Sequence, residues 1–134
     1  MRATVHVDGG ARGNPGPAAA AAVITAPGGE LLDEASVRLG EASNNVAEYR
    51  GLALGLERAR ALGATEVDVF MDSELVVNQV NGRYRVRSAD LAPLHRAVTE
   101  ALAGFARWRV RAVRRAENAR ADALVNAALD SPAG

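Results

Sequence analysis

Four acidic residues stand where acids are costly. Asp8 closes the alternating segment Arg2–Asp8, and Asp72 follows the apolar segment Glu66–Met71, so each falls at the carboxyl end of a strand. In α/β sheets ligands collect beyond those ends, and two acids placed there can converge on one point. Glu48 lies one helical turn before Leu52 and two before Leu56, while Asp122 precedes Val125 and Leu129 by three and seven residues. Both spacings put an acid in line with the apolar stripe of a helix. A carboxylate turned toward a core must be paired or bind a cation, because an isolated buried charge is very costly. Taken singly, each acid also reads as a helix cap or a surface ion pair, and Arg50 and Arg120 are the basic residues near them in sequence. Taken together, four hard oxygen donors without His or Cys suit Mg²⁺ or Mn²⁺ and not zinc. Two such ions roughly 3.5–4 Å apart would clamp the attacking and leaving oxygens of a phosphodiester displacement.

The segment Asp8-Gly-Gly-Ala-Arg-Gly-Asn-Pro-Gly-Pro17 follows the first acid directly. It is not a phosphate-binding P-loop, since no Gly-Lys-Ser/Thr follows, and it is not a dinucleotide fingerprint, since a strand and not a helix comes next. Glycines beside a metal-binding aspartate let a sugar–phosphate backbone approach closely. A plain hairpin turn is the alternative reading of the same residues.

The elements that must position these groups follow from periodicity. Residues Arg2–Asp8 alternate as a strand, Gly9–Pro17 reads as a loop, and Ala18–Ala26 as a second strand. Pro27-Gly28-Gly29 marks a tight hairpin before a third strand over Glu30–Leu39. Ser43-Asn44-Asn45 supplies cap residues for a helix from about Val46 to Leu62, ended by Gly63. A strand over Glu66–Met71, helices over Ser73–Val80 and Asp90–Leu102, a strand over Trp108–Val113 and a helix over Asn118–Leu129 complete the series. Three strands in hairpin succession, then alternating helices and strands, give an α/β domain with a mixed sheet. One domain over residues 1–129 is expected, with 130–134 a flexible tail or the start of a linker to a further C-terminal domain.

Composition bounds the rest. A chain of 134 residues that is 49% hydrophobic and 24% charged can bury one core. The longest apolar run, Ala18–Ile24, is too short to span a bilayer, and without cysteine there are neither disulfides nor thiolate metal sites. A reducing, cytoplasmic setting and a monomer are the expectations. Net charge is zero, yet all 16 cationic side chains are arginines, clustered at Arg83, Arg85, Arg87 and from Arg107 to Arg115. With four carboxylates neutralised by two divalent ions the remaining side chains carry +4, so a polyanionic substrate is not excluded.

Asp8-Gly9-Gly10 leading to Gly13-Asn14-Pro15-Gly16-Pro17, then Asn44-Asn45 with Glu48, Asp72-Ser73, and Asn118 with Asp122, resembles the type 1 ribonuclease H family. The resemblance runs from about Ala3 to Leu129 and implies a five-stranded mixed sheet in the order 3-2-1-4-5 flanked by helices. It implies an endoribonuclease that hydrolyses the RNA strand of RNA–DNA hybrids with two Mg²⁺ or Mn²⁺ ions, leaving 5′-phosphate and 3′-hydroxyl ends. Asp8 would bridge both ions, Glu48 and Asp72 would complete one site, and Asp122 the other. The ion beside Asp122 would activate the attacking water and its partner would stabilise the leaving oxygen. Gly9, Gly10, Asn14, Asn44 and Asn45 would face the RNA strand, Arg12 would also bind substrate, and Ser43 matches a position that holds a DNA-strand phosphate. The alternative within the same fold is a catalytically weak domain that binds hybrid or RNA.

Two departures from the family pattern stand out. Many members carry a histidine in the loop before the last aspartate, whereas Val113-Arg-Arg-Ala-Glu-Asn118 has none, so Arg115 or Glu117 is expected to take its role. His6 reads as a strand-face residue and His95 as a helix-surface one. The lysine- and tryptophan-rich handle is also missing; the short stretch Asn81–Ala89 offers Arg83, Tyr84, Arg85 and Arg87 to the DNA backbone instead. If Arg85 meets a phosphate, Arg85→Ala flattens the dependence of log binding constant on log salt by about one unit. Hybrid-binding titrations between low and moderate salt check this, and an unchanged slope removes Arg85 from the interface.

Overall fold

Alternating small and branched side chains build the centre of the sheet. The computed structural model describes residues 1–131, which run β1 (Arg2–Ala11), β2 (Gly16–Thr25), β3 (Leu31–Ala42), α1 (Asn44–Ala61), β4 (Glu66–Met71), α2 (Glu74–Val80), α3 (Ala92–Ala103), β5 (Arg107–Ala112), a 3₁₀ turn (Arg115–Asn118) and α4 (Ala119–Asp130). The sheet order is β3-β2-β1-β4-β5; β1–β2 and β2–β3 are antiparallel, while β4 lies parallel to both β1 and β5. Helix α1 and α3 cover one face, where Val5, Val7, Leu52, Leu56, Val69, Val98 and Leu102 form the main core. On the other face α4 lies over β2, packing Val125 against Ala19 and Ala21. The alanine run is thus apolar on both sides because both of its faces are covered.

Several boundaries differ from the periodicity reading, each for a physical reason. Strand β1 continues past Asp8 to Ala11 and β2 starts at Gly16, so Gly9 and Gly10 lie in a ladder opposite Ala20 and Ala19 and the loop shrinks to Arg12–Pro15. Glycine's weak strand preference is outweighed there by the facing alanines and by the helix pressed against it. Ser43 alone caps α1, its hydroxyl accepting from Val46 N at 3.2 Å, and Asn44 and Asn45 open the first turn. Strand β3 runs on to Ala42, and α3 starts at Ala92 with Pro93 in its first turn. The 3₁₀ turn before α4 was not expected. Asp130 ends α4 and Ser131 caps it, so of the anticipated tail only 132–134 remain, outside the described residues.

His6 stacks on Phe70 with ring centroids 5.1 Å apart, in keeping with a strand-face role. His95 is not a free surface residue: it is half-buried, its Nε2 is 3.2 Å from the Gln79 carbonyl, and its ring meets Tyr49 edge-on. Arg107, Arg109 and Arg111 do lie on an edge strand, where charge discourages pairing with another sheet. Arg107 reaches Glu66 at 3.8 Å and Arg111 reaches Asp68 at 3.9 Å.

What fixes the site is the closeness of α1 to β1. A Cβ on Gly51 would strike the Asp8 carbonyl, one on Gly9 would strike the Ala47 carbonyl, and one on Gly55 would meet Val7 and Val5. The helix accepts two glycines, each costing about 1 kcal/mol of helix propensity, in exchange for backbone contact with the strand. Gly51→Ala, which would stabilise an ordinary exposed helix, therefore destabilises this one by about 1–3 kcal/mol or more. Urea unfolding measures the difference; a neutral or stabilising substitution contradicts the close contact.

Candidate active site

The parallel ladder between β1 and β4 ends at His6 opposite Phe70, and beyond it the two strands part. Asp8 lies just past that point, 5% exposed, and Asp72 follows the last residue of β4, where the chain turns into α2 behind the Ser73 cap. Glu48, in the second turn of α1 and 8% exposed, is carried into the same crevice by the close helix–strand contact. Asp8, Glu48 and Asp72 each offer a carboxylate oxygen within 4.8 Å of the others, the one cluster of this kind among the described residues. Glu48 Oε1 accepts from Gly9 N at 3.0 Å, while its Oε2 is buried without a hydrogen-bond partner among the described residues.

Asp122 comes from the first turn of α4 and lines the same cavity of about 420 Å³, but stands apart from the three-acid cluster. Its Oδ1 accepts from Arg115 Nη2 at 3.2 Å and its Oδ2 from Asn126 Nδ2 at 3.4 Å. The basic neighbour of the acids is therefore Arg115. Arg120, near in sequence, is turned to Glu34 at 2.8 Å, and Arg50 points to solvent.

The electrostatics follow from crowding like charges out of water. Burial is the main cause that pushes the Glu48 carboxyl up to about 9, with the Asp8 charge and hydrogen bond next, and the Gly9 amide pulling the other way. Asp8 rises to about 6, again chiefly through burial, with Asp72 and Asp122 adding to it and hydrogen bonds from Glu48 and Gly9 opposing. Without a cation, burial and the neighbouring Asp8 thus favour the protonated form of Glu48. Arg115 is held more firmly charged than usual, first by Asp122 and then by Asp72 and Asp8.

Of the remaining expected residues, Gly9, Gly10, Arg12, Asn44 and Arg115 line the acid-bearing cavity. Asn14 and Asn44 lace the hairpin tip to α1: Asn14 Oδ1 accepts from Asn44 N at 3.1 Å and Asn44 Oδ1 from Ala11 N at 2.9 Å. Ser43 is occupied as the helix cap, and Asn45 is exposed beside it. Arg12 is paired with Asp130 at 2.6 Å. Arg83 and Arg85 do not line the cavity but lie exposed in the segment after α2. Glu117, the alternative to Arg115, faces Arg114 at 3.1 Å and lies outside the cavity. A larger groove of about 520 Å³ at the opposite ends of β4 and β5 gathers no acids free to bind a cation, since its Glu66 and Asp68 face arginines.

Asn118 belongs to the family pattern, but nothing in the sequence assigned it a role in the site. It is 2% exposed and its Nδ2 donates to the Val7 carbonyl at 2.8 Å, tying the start of α4 to β1 one residue before Asp8. In the sequence it marks a helix start and part of the family pattern, and nothing local reveals a bond to a residue 111 positions away.

Comparison with known proteins agrees with this geometry. A family model described as "Reverse transcriptase-like" matches residues 6–128. The bifunctional protein Rv2228c of Mycobacterium tuberculosis is 47% identical over 99% of this chain, which spans 37% of that protein's length. Among solved structures, the RNase H1 of the halophilic archaeon Halobacterium salinarum superposes with a TM-score of 0.95 at 40% identity, covering 97% of this chain and 98% of that one. An RNase H1 isolated from compost, solved in complex with an RNA/DNA hybrid, gives 0.91 at 41% identity and 96% of each chain.

Raised carboxyl pKa values mean that the folded protein binds more protons than the unfolded chain between about 4.5 and about 9 for Glu48, and between 3.8 and about 6 for Asp8. In chelator, stability is therefore greatest at acid pH and falls as pH rises through that window. Glu48→Gln removes the larger of the two shifts and keeps an oxygen for Gly9 N. At pH 8 without divalent ions this variant melts higher than the parent by roughly 3–6 °C, the gap closing towards pH 4. Calorimetry across that range decides it, and identical melting at pH 8 would mean that the buried site does not resist ionisation of Glu48.

Proposed function

The chain belongs to the type 1 ribonuclease H family, and from that premise we propose that it is a metal-dependent endoribonuclease that cuts the RNA strand of an RNA–DNA hybrid, leaving 5′-phosphate and 3′-hydroxyl ends. The observation that carries the reading is the packed trio Asp8, Glu48 and Asp72 with an unsatisfied, buried Glu48 Oε2. A buried acceptor with no donor, among carboxylates that repel one another, fits a cation. Oxygen donors alone suit Mg²⁺ or Mn²⁺. Asp8, standing between the other acids, would serve two ions, Glu48 and Asp72 completing one set and Asp122 the other. Such ions neutralise charge developing on phosphate and make water nucleophilic at neutral pH.

The chain's own groups prepare the substrate. The Gly9 amide orients Glu48 by holding Oε1, which leaves Oε2 to the crevice. Gly10, half-buried beside Asp8, presents bare backbone where a ribose–phosphate chain can come close, while Gly9 lines the same cavity with the space of its missing side chain taken up by α1. Because Asn14 and Asn44 spend their carbonyl oxygens on the backbone, their amide NH₂ groups remain to donate to the RNA strand, with Asn45 next to them. The 2′-hydroxyl is what distinguishes RNA from DNA at such a site. The Ser43 hydroxyl accepts from Val46 N and keeps its own proton for a DNA-strand phosphate, while Arg83 and Arg85 extend the cationic track away from the cavity. Arg12 exchanges Asp130 for phosphate when substrate arrives. The protein acts as a monomer in this reading. No described helix is long and apolar enough to cross a membrane.

An end-labelled hybrid and the matching all-DNA duplex, each with Mg²⁺, Mn²⁺ or chelator, test this beside Asp72→Asn. The expected result is cleavage of the RNA strand alone, reduced by the substitution to the level seen in chelator. Binding without cleavage in either ion would replace the nuclease with a hybrid-binding domain, and cutting of all-DNA duplex would replace the substrate.

A further inference from the structure

Asp122 is the acid set apart. The other three gather oxygens within 4.8 Å, whereas both Asp122 oxygens are taken, one by Arg115 and one by Asn126. Arg115 opens the 3₁₀ turn, lines the acid-bearing cavity, and has a side chain 76% exposed against 28% for Asp122. Its neighbour Arg114 is engaged with Glu117 at 3.1 Å, so Arg115 is the cation that faces the cluster. A monovalent guanidinium therefore stands beside the one carboxylate that a second divalent ion needs.

Resting on the metal-nuclease reading, we infer that Arg115 is a positioning residue that shields the second cation site until nucleic acid arrives. In the free protein it is the counter-ion of Asp122. When the hybrid docks, the guanidinium passes from Asp122 to a phosphate, and the freed carboxylate takes the ion. Three features make the exchange feasible. The pair is exposed, so it is weak and easily broken. A planar guanidinium binds phosphate as well as carboxylate, through the same paired N–H groups, which a lysine would not reproduce. The backbone on both sides is anchored, since Val113 N donates to the Met71 carbonyl and Asn118 ties the start of α4 to the Val7 carbonyl, so the side chain can move without moving Asp122. Reciprocity then requires that hybrid tighten the second ion and the second ion tighten hybrid by the same factor.

Calorimetric titration of Mn²⁺ into the metal-free protein tests the first half. Two classes of site are expected in the parent, and Arg115→Ala strengthens the weaker one by roughly three- to ten-fold while changing the tighter one less than two-fold. Asp122→Asn abolishes the weaker class, which assigns it. The second half is read in chelator, where hybrid binds uncut: Arg115→Ala weakens binding and flattens its salt dependence by about one unit, and Arg115→Lys restores the salt slope but not the full affinity. An unchanged or weaker second Mn²⁺ site in Arg115→Ala, or unchanged hybrid binding in chelator, overturns the inference. Failure of the underlying reading looks different: the parent then shows no tight Mn²⁺ site, or Asp8→Asn leaves that site intact.

Discussion

Everything in the crevice depends on one backbone-to-backbone contact, that of α1 lying against β1 across Gly9 and Gly51, with Gly55 making room for the Val5 and Val7 side chains. A methyl group on Gly9 or Gly51 would separate the helix from the strand, and Glu48 would then miss both the Gly9 amide and the company of Asp8. The contact also explains why glycines sit in the middle of a helix and in a hydrogen-bonded strand, two places where they cost conformational entropy. Packing and chemistry are here the same constraint: the carboxylates meet because the backbones do.

The charges meet at a cost to the fold. Asp8 and Glu48 are both almost fully buried, and their raised pKa values record a folded state that resists their ionisation. A protein of this size is stable by a margin comparable to a few such interactions. The margin comes from the rest of the sheet, where Val5, Val7, Val69 and the helix residues Leu52 and Leu56 are shielded from water. Local conflict at a site, supported by consistent packing elsewhere, is the pattern expected when a site is kept for chemistry and not for stability.

Much of this was legible in the residues, and the limits were physical. Strand and helix identities followed from periodicity because each element has one clear period, and the order of the sheet came from the family resemblance. Glu48 was legible as an inward acid because four-residue spacing survives in any straight helix. Gly9 and Gly10 were misplaced into a loop because glycine signals a turn locally, while the reason for glycine here, the Ala47 carbonyl, lies in another element. The stand-in for the family's loop histidine was legible only as Arg115 or Glu117, because a short loop does not reveal which side chain turns inward; the 3₁₀ turn brings Arg115 to Asp122 and leaves Glu117 on Arg114. Asn118 escaped because its bond to the Val7 carbonyl spans nearly the whole chain, which no local pattern encodes.

The order in which the acids occur along the chain has a consequence for synthesis. Asp8, Glu48 and Asp72 arrive early, but Asp122 is on the last helix, and α4 is seated on a sheet that must already hold β1 and β2. The local hairpins β1–β2 and β2–β3 can close as they emerge, whereas β1 must wait for β4, more than sixty residues later. At about 5–20 residues per second, a nascent chain spends several seconds with its meander made and its set of four acids incomplete. The growing chain therefore holds the means to gather Asp8, Glu48 and Asp72 well before Asp122 exists, and the fourth acid joins their cavity only when α4 is seated.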